Sequence, residues 1–210
     1  MEPGTIIVAL GLVVAGYLIG GIPFGIVVAR VAGGPDPRSL GSGRTGGANV
    51  LRAIGPRAAL LAGLLDAGKG SVSVLLAIAV GAAPVVQVVA ALAAIVGHSR
   101  SPYIGFQGGR GVAPAWGALL VIQPLVALLV IPVFAGVLLL TRISSLASLA
   151  TSVVAALGLV AAVLLLPMNV AFGGYALGAL AAIWLFHADN IQRLLSGQER
   201  RIDWRPGSER

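Results

Sequence analysis

The 210-residue sequence has no cysteine, only two histidines and seven carboxylates, and charged residues make up just 10% of it. Without cysteine there is no disulfide, no thiolate metal site and no thiol nucleophile. His98 and His187, with carboxylates scattered from Glu2 to Glu209, give a zinc or di-iron cluster little to be built from. No metal and no cofactor is expected. What is plentiful is apolar: 58% of residues are hydrophobic, with a mean hydropathy of +0.99, which is more than a water-soluble globule of this length can bury. The lipid bilayer is therefore the expected surroundings. A net charge of +7 would suggest nucleic acid in a soluble protein. Here the basic residues sit between apolar runs, where topology and anionic headgroups account for them, and no nucleic-acid partner is expected.

A membrane-crossing helix needs about 20 apolar residues to cover roughly 30 Å of hydrocarbon. Thr5–Ala29 meets this, and it is too long and wrongly flanked for a cleaved signal peptide. Arg57–Val80, Ala83–Gly97, Ser148–Leu166 and Val170–His187 are further candidates, the second of these short enough to tilt or thin the bilayer. Val112–Thr141 is ambiguous. Interrupted at Gln123-Pro124 and at Pro132, it reads as one long kinked helix or as two short ones.

The thirteen arginines (30, 38, 44, 52, 57, 100, 110, 142, 193, 200, 201, 205 and 210) decide between these readings. If the ambiguous stretch is two spans hinged at Pro124, all of them fall on one side of the membrane, and the opposite connections (81–83, 123–124 and 167–169) carry no charge. If it is one span, the arginines are split between the two sides. The positive-inside bias favours the hinge. The expected fold is thus an all-α bundle of seven transmembrane helices, some short, with the N-terminus outside and the C-terminus cytoplasmic. Residues 1–210 are read as a single domain with cytoplasmic loops at about 30–56, 98–111 and 142–147 and a tail over 190–210. Glycine spacings such as Gly16/Gly20 and Gly174/Gly178 are expected to let helices approach closely.

Chemistry is sought on the arginine-rich face. Residues 36–52 combine Gly41, Gly43, Gly46 and Gly47 with Ser42, Thr45 and Asn49, flanked by Arg38, Arg44 and Arg52. Such a stretch can wrap an anion in backbone N–H groups while guanidinium forks neutralise it, but it also reads as a flexible solvated loop. Its formal match to a dinucleotide fingerprint lacks the strand that would make it meaningful. Residues 97–111 repeat the theme through Gly108, Gly109, Arg110 and Gly111, with His98 as a candidate acid or base or an ordinary interfacial residue. Two such loops suggest a site for one or two phosphates at the boundary.

Asp66 and Lys69 stand three apart inside an apolar run, where isolated charges are expensive, so they read as a mutually neutralising pair. A Walker-like run over 63–69 fails because Gly70 occupies the place of the required hydroxyl residue. His187 and Asn190, at i and i+3, share a helical face at the boundary, and Ser145 and Ser148 lie near the start of a later span.

Taken in order, Gly20–Gly25, Gly41–Gly43 through Asn49–Arg52, Asp66-x-x-Lys69-Gly70, Gly97-His98 through Gly108–Val112, Thr141-Arg142 with Ser145 and Ser148, and His187-x-x-Asn190 followed by Gly197-x-Glu199 resemble one family. This is the bacterial acyl-phosphate-dependent glycerol-3-phosphate acyltransferases, the integral-membrane PlsY family. The resemblance covers nearly the whole chain. It implies a seven-helix enzyme of the cytoplasmic (inner) membrane, its site facing the cytoplasm. The implied reaction moves a fatty acyl group from acyl phosphate to the first hydroxyl of glycerol 3-phosphate, giving lysophosphatidic acid and phosphate in phospholipid synthesis. A donor-making acyltransferase is a possible partner.

The resemblance further implies that Ser42, Arg52, Arg110, His187 and Asn190 are active-site residues. Gly41, Gly43, Asn49, Gly108, Gly109 and Gly111 would bind phosphate, with Asp66, Lys69, His98, Ser145 and Ser148 in support. Three departures bear on this: Arg110 stands where many relatives have Lys, Arg44 where Asn is common and Ala48 where Thr is common. The His-x4-Asp pair of acyl-CoA-dependent enzymes is missing, since Tyr103 and Gln192 occupy the fifth positions after the two histidines. An acyl phosphate is already activated, so alignment and charge stabilisation are the main demands, and a donor phosphate oxygen is the implied proton acceptor. Two other classes fit the residues less well. A CDP-alcohol phosphotransferase needs several aspartates converging on a metal, and an anion transporter needs polar residues deeper in the helices than are found here.

Overall fold

A computed structural model describes residues 2–202, and the end of the expected tail, with Arg205 and Arg210, lies outside them. The described residues form ten α-helices and no strand. Proline is the first residue of four helices: α1 (Pro3–Gly21), α4 (Pro56–Ala79), α5 (Pro84–Ser99) and α7 (Pro124–Thr141). There its missing N–H costs nothing and its fixed φ suits the helix. The remaining helices are α2 (Phe24–Val31), α3 (Gly47–Ile54), α6 (Val112–Ile122), α8 (Ser144–Leu165), α9 (Ala171–Phe186) and α10 (Ala188–Leu195).

Five stretches are long and apolar enough to cross a membrane: Pro3–Val31, Pro56–Ala79, Pro84–Ile104, Pro124–Thr141 and Ser144–Leu165. Helices α9 and α10 meet the same test together but bend by 63°. Helix α6 has 11 residues, about 16 Å of rise, roughly half the hydrocarbon thickness. The first stretch is broken at Ile22-Pro23, an interruption the composition of Thr5–Ala29 conceals. Val112–Thr141 is a helical hairpin. Trp116 Nε1 donates to the Ala127 carbonyl at 2.8 Å, although these residues would lie about 16 Å apart along one continuous helix. Pro132 sits inside α7 without ending it.

Loop boundaries also shift. Helix α8 begins at Ser144, which reduces the expected 142–147 loop to Arg142-Ile143 and puts Ser145 and Ser148 on the helix. The 30–56 loop contains α3, and His98 belongs to the last turn of α5.

Small residues set the packing. A Cβ on Gly16 or Gly20 would meet the Ala90 or Ala94 carbonyl at 2.5 or 2.3 Å, so α1 and α5 touch backbone to backbone. Gly70 against Pro114 and Gly117 against Ala67 join α4 to α6 in the same way. The Gly174/Gly178 spacing behaves differently: Gly178 packs on Leu92, whereas Gly174 faces open space. The core runs through α4 to α9, with Val74, Ile95, Leu119, Leu159 and Tyr175 fully or almost fully buried.

Candidate active site

Helix α3 is too short to be stable alone and is held by its apolar side, Val50 and Ile54, against α2 and α4. Its other side carries Asn49 and Arg52. Asn49 is 2% exposed and organises the preceding loop. Its Nδ2 donates to Ser42 Oγ at 3.2 Å and to the Arg44 carbonyl at 2.9 Å, while its Oδ1 accepts from Arg52 Nη1 at 3.1 Å. Gly41 and Gly43 adopt φ of +55° and +70°, and a Cβ on Gly41 would lie 2.5 Å from Asn49 Oδ1. Those two glycines therefore let the loop close over Asn49.

The second cationic group comes from the loop after α5. Arg110 Nη2 donates to Asp189 Oδ2 at 2.8 Å, and Arg193 reaches the same oxygen at 3.2 Å. Burial raises the Asp189 pKa, but the two guanidinium groups outweigh it and hold the carboxyl below the usual carboxylate range. Arg193 also donates through Nε to Glu199 at 3.0 Å, and Asn190 Nδ2 donates to the other Glu199 oxygen at 2.9 Å. The chain beyond α10 is thereby tied down, helped by the Ile202 N–H on the Arg142 carbonyl at 2.7 Å.

His187 stands at the corner between α9 and α10. Its Nδ1 lies 2.8 Å from the Ile183 carbonyl, which can only accept, so Nδ1 carries the hydrogen and the neutral ring keeps a lone pair at Nε2. Along α8, Ser144, Ser145, Ser148 and Thr151 follow the helical repeat and present one row of hydroxyls.

These pieces surround one cavity of about 490 Å³, within the range that holds a small ligand. Ser42, Arg52, Arg110, His187 and Asn190 all line it, as do Asn49, Asp66, His98, Gly109, Ser145 and Ser148. The structure brings these residues together from five segments of the chain. Gly41, Gly43, Gly108, Gly111 and Lys69 stand behind the lining. Its apolar wall is α7, through Val130, Ile131, Phe134, Ala135 and Leu138.

Arg44 and Ala48, the other two departures beside Arg110, also face the cavity. Four lining residues hold a buried polar atom that has no hydrogen-bond or ion-pair partner among the described residues: Arg110 Nε, Ser145 Oγ, Thr151 Oγ1 and Asn190 Oδ1. A buried polar atom without a partner is costly, so these mark where a polar ligand fits. Among the described residues no three His, Asp or Glu side chains gather as a metal cluster.

Reasoning from sequence missed Asp189, Glu199 and Thr151 as parts of the site. Thr151 was detectable from the hydroxyl spacing on α8. Glu199 stood in the Gly197-x-Glu199 motif without an assigned role and Asp189 had no signal at all, because each matters through a residue distant in the chain or on another turn.

A family model described as glycerol-3-phosphate acyltransferase matches residues 10–197. A glycerol-3-phosphate acyltransferase of Synechococcus sp. (strain JA-2-3B'a(2-13)) is 46% identical over 197 residues, covering 92% of this chain and 94% of that one. The Aquifex aeolicus (strain VF5) enzyme of the same name is 41% identical over 195 residues, covering 92% and 99%. Two crystal structures of PlsY (YgiH), an integral membrane glycerol 3-phosphate acyltransferase, superpose closely. The glycerol 3-phosphate form has a TM-score of 0.84 at 38% identity, covering 93% of this chain and 96% of that one. The lysophosphatidic acid form has a TM-score of 0.83 at 37% identity with the same coverage.

Proposed function

The chain belongs to the glycerol-3-phosphate acyltransferase family, and on that premise we propose that it takes its acyl group from acyl phosphate and delivers it to the first hydroxyl of glycerol 3-phosphate. In that reaction the substrate hydroxyl oxygen bonds to the acyl carbon and the bond from that carbon to the phosphate oxygen breaks. The hydroxyl proton passes to an oxygen of the departing phosphate. Lysophosphatidic acid and inorganic phosphate leave. A mixed anhydride is already activated, so orientation and charge stabilisation suffice, and no protein base is required.

The observation that carries this reading is the cavity's division of labour. Guanidinium, amide and hydroxyl groups, four of them with an unpartnered atom, face a space whose other wall is the apolar side of α7. Phosphates suit the first and an acyl chain suits the second. In this scheme Arg52 and Arg110 clamp phosphates, and Ser42 with the amides of the 41–47 and 108–111 loops orients the acyl phosphate. Asn190 and His187 position glycerol 3-phosphate, the Nε2 lone pair of His187 accepting from a substrate hydroxyl. Asp189 and Glu199 hold Arg110 and Asn190 in place. The acyltransferases whose crystal forms are described by glycerol 3-phosphate and lysophosphatidic acid supply the chemical precedent for substrate and product.

The same reading treats residues 1–210 as one domain crossing a bacterial cytoplasmic membrane seven times. The broken α1–α2 stretch and the short α6 would each count as one crossing, with the N-terminus outside and the cavity open to the cytoplasm. The arginine distribution supports this orientation.

The test is lysophosphatidic acid formation by the purified protein from labelled glycerol 3-phosphate, with palmitoyl phosphate in one reaction and palmitoyl-CoA in another. Product from the acyl phosphate alone is expected. Product from the CoA ester alone would reassign the donor. Product from neither, with accumulation of labelled substrate in proteoliposomes, would make the protein a carrier.

A further inference from the structure

Lys69 is the only lysine in the chain, and it stands outside the cavity lining. Its ammonium group is nevertheless placed with care. Nζ lies 2.6 Å from Asp66 Oδ1, 2.8 Å from the Ile22 carbonyl and 3.0 Å from His98 Nδ1. An ammonium group has three hydrogens and no lone pair, so three partners saturate it and each must accept. The Ile22 carbonyl is available because the first membrane stretch breaks there, at Ile22-Pro23. For His98, accepting at Nδ1 requires the hydrogen to sit on Nε2.

That ring then meets the glycine loop. A Cβ on Gly109 would lie 2.1 Å from His98 Nε2, so the imidazole packs against the bare Cα of Gly109. The His98 carbonyl accepts from the Gly109 N–H at 3.0 Å, and the Ser99 carbonyl accepts from Gly108 at 3.2 Å. The residues leading to Arg110 are thus moulded on the last turn of α5, with the side chain of His98 forming part of the mould. Simple neutralisation of Asp66 needs none of this: it does not require a contact to His98 or to the carbonyl of a broken helix.

We propose that Lys69 is a positioning residue for the acyl transfer. By holding His98 in its Nε2–H form with a fixed ring orientation, it seats Gly108-Gly109 and so aims Arg110 into the cavity. The proposal rests on the reading of that cavity as the acyl-transfer site.

Nitrogen NMR of protein labelled at histidine tests the first half without any variant, because the chain has only two histidines. One ring is expected with its hydrogen on Nδ1, for His187, and the other with its hydrogen on Nε2, assigned to His98 by its loss in His98→Asn. Both hydrogens on Nδ1, or a doubly protonated His98, overturns the proposal.

Kinetics tests the second half. Lys69→Met, verified as folded by its elution and thermal unfolding, is expected to lower kcat by about 100-fold, as small misplacements of catalytic groups do. The pair Lys69→Met with Asp66→Leu removes both charges together. If Lys69 only neutralises Asp66, activity returns in the pair and the proposal fails; the expected result is that kcat stays low. Adding Lys69→Met to His98→Asn is expected to cost little more than His98→Asn alone, since both act through one ring. An independent, multiplicative loss also overturns it. Failure of the acyl-transfer reading itself is distinguishable, because Arg110→Ala would then leave acyl transfer unaffected whatever the histidine spectrum.

Discussion

Arg110 and Asp189 are 79 positions apart, yet a 2.8 Å hydrogen bond from Nη2 to Oδ2 joins the loop after α5 to the helix after α9. Arg193, one turn further along α10, shares the same carboxylate oxygen. The polar side of the cavity is therefore closed by a charge network rather than by continuous chain.

Asp189 is held below its ordinary pKa of 3.8 by Arg110 and Arg193 against the opposing effect of burial. A carboxyl with a lowered folded-state pKa adds stability that is complete above its unfolded value and is lost as pH falls through the lowered one. The thermal unfolding midpoint of the purified protein should therefore exceed that of Asp189→Asn near pH 6. The gap should shrink on acidification below about pH 4. A gap that stays constant down to about pH 3 would detach Asp189 from this account. The carboxylate is 38% exposed, so solvent screening keeps the effect modest.

Arg52 sits on α3 with its guanidinium against Asn49, facing the cavity. Arg52→Ala should cost about 3 kcal/mol in transition-state stabilisation, roughly a hundredfold in kcat/KM, if the guanidinium holds a phosphate during transfer. Steady-state kinetics with both substrates varied is the measurement. Near-normal turnover would take Arg52 out of the site.

Gly109 has no room for a side chain, because a Cβ would stand 2.1 Å from His98 Nε2. Gly109→Ala should force the loop or the ring aside, with a cost of about 1–3 kcal/mol in stability and a larger loss of activity. Gly136 faces open space on α7, and Gly136→Ala should leave both nearly unchanged. Thermal unfolding and product formation on the two variants separate crowding from a general intolerance of alanine.

The chain lacks cysteine, so single cysteines report topology directly. Ala83→Cys and Asn169→Cys should react with a membrane-impermeant maleimide added to intact spheroplasts. Ser39→Cys and Ser196→Cys should react only after lysis. All four positions are exposed. Labelling of Ser39→Cys in intact spheroplasts would reverse the proposed orientation.

Residence in a membrane, the positions of the long helices and the concentration of arginine in their connections were legible in the sequence. Each depends on local composition: an apolar run of sufficient length has to satisfy its own backbone groups in lipid, whatever its neighbours do. The hinge at Gln123-Pro124 was legible for the same reason, with charge placement choosing between two readings. The break at Ile22-Pro23 was not, because the apolar run continues through it and hydropathy does not register one proline. The loops around Asn49 and Arg110 were legible as a composition suited to anions, but composition does not tell whether two loops meet.

That meeting was decided only by tertiary structure. Contacts such as Gly16 on Ala90 and Gly117 on Ala67 fix how closely α1, α5, α4 and α6 approach, and those distances carry the 41–52 and 108–111 loops to the same cavity. The roles of Asp189 and Glu199 belong there too, since an exposed-looking carboxylate in sequence becomes a clamp only when the arginine or asparagine it holds arrives from elsewhere. Local composition sets what lipid will accept; the packing of small residues sets which polar groups find one another.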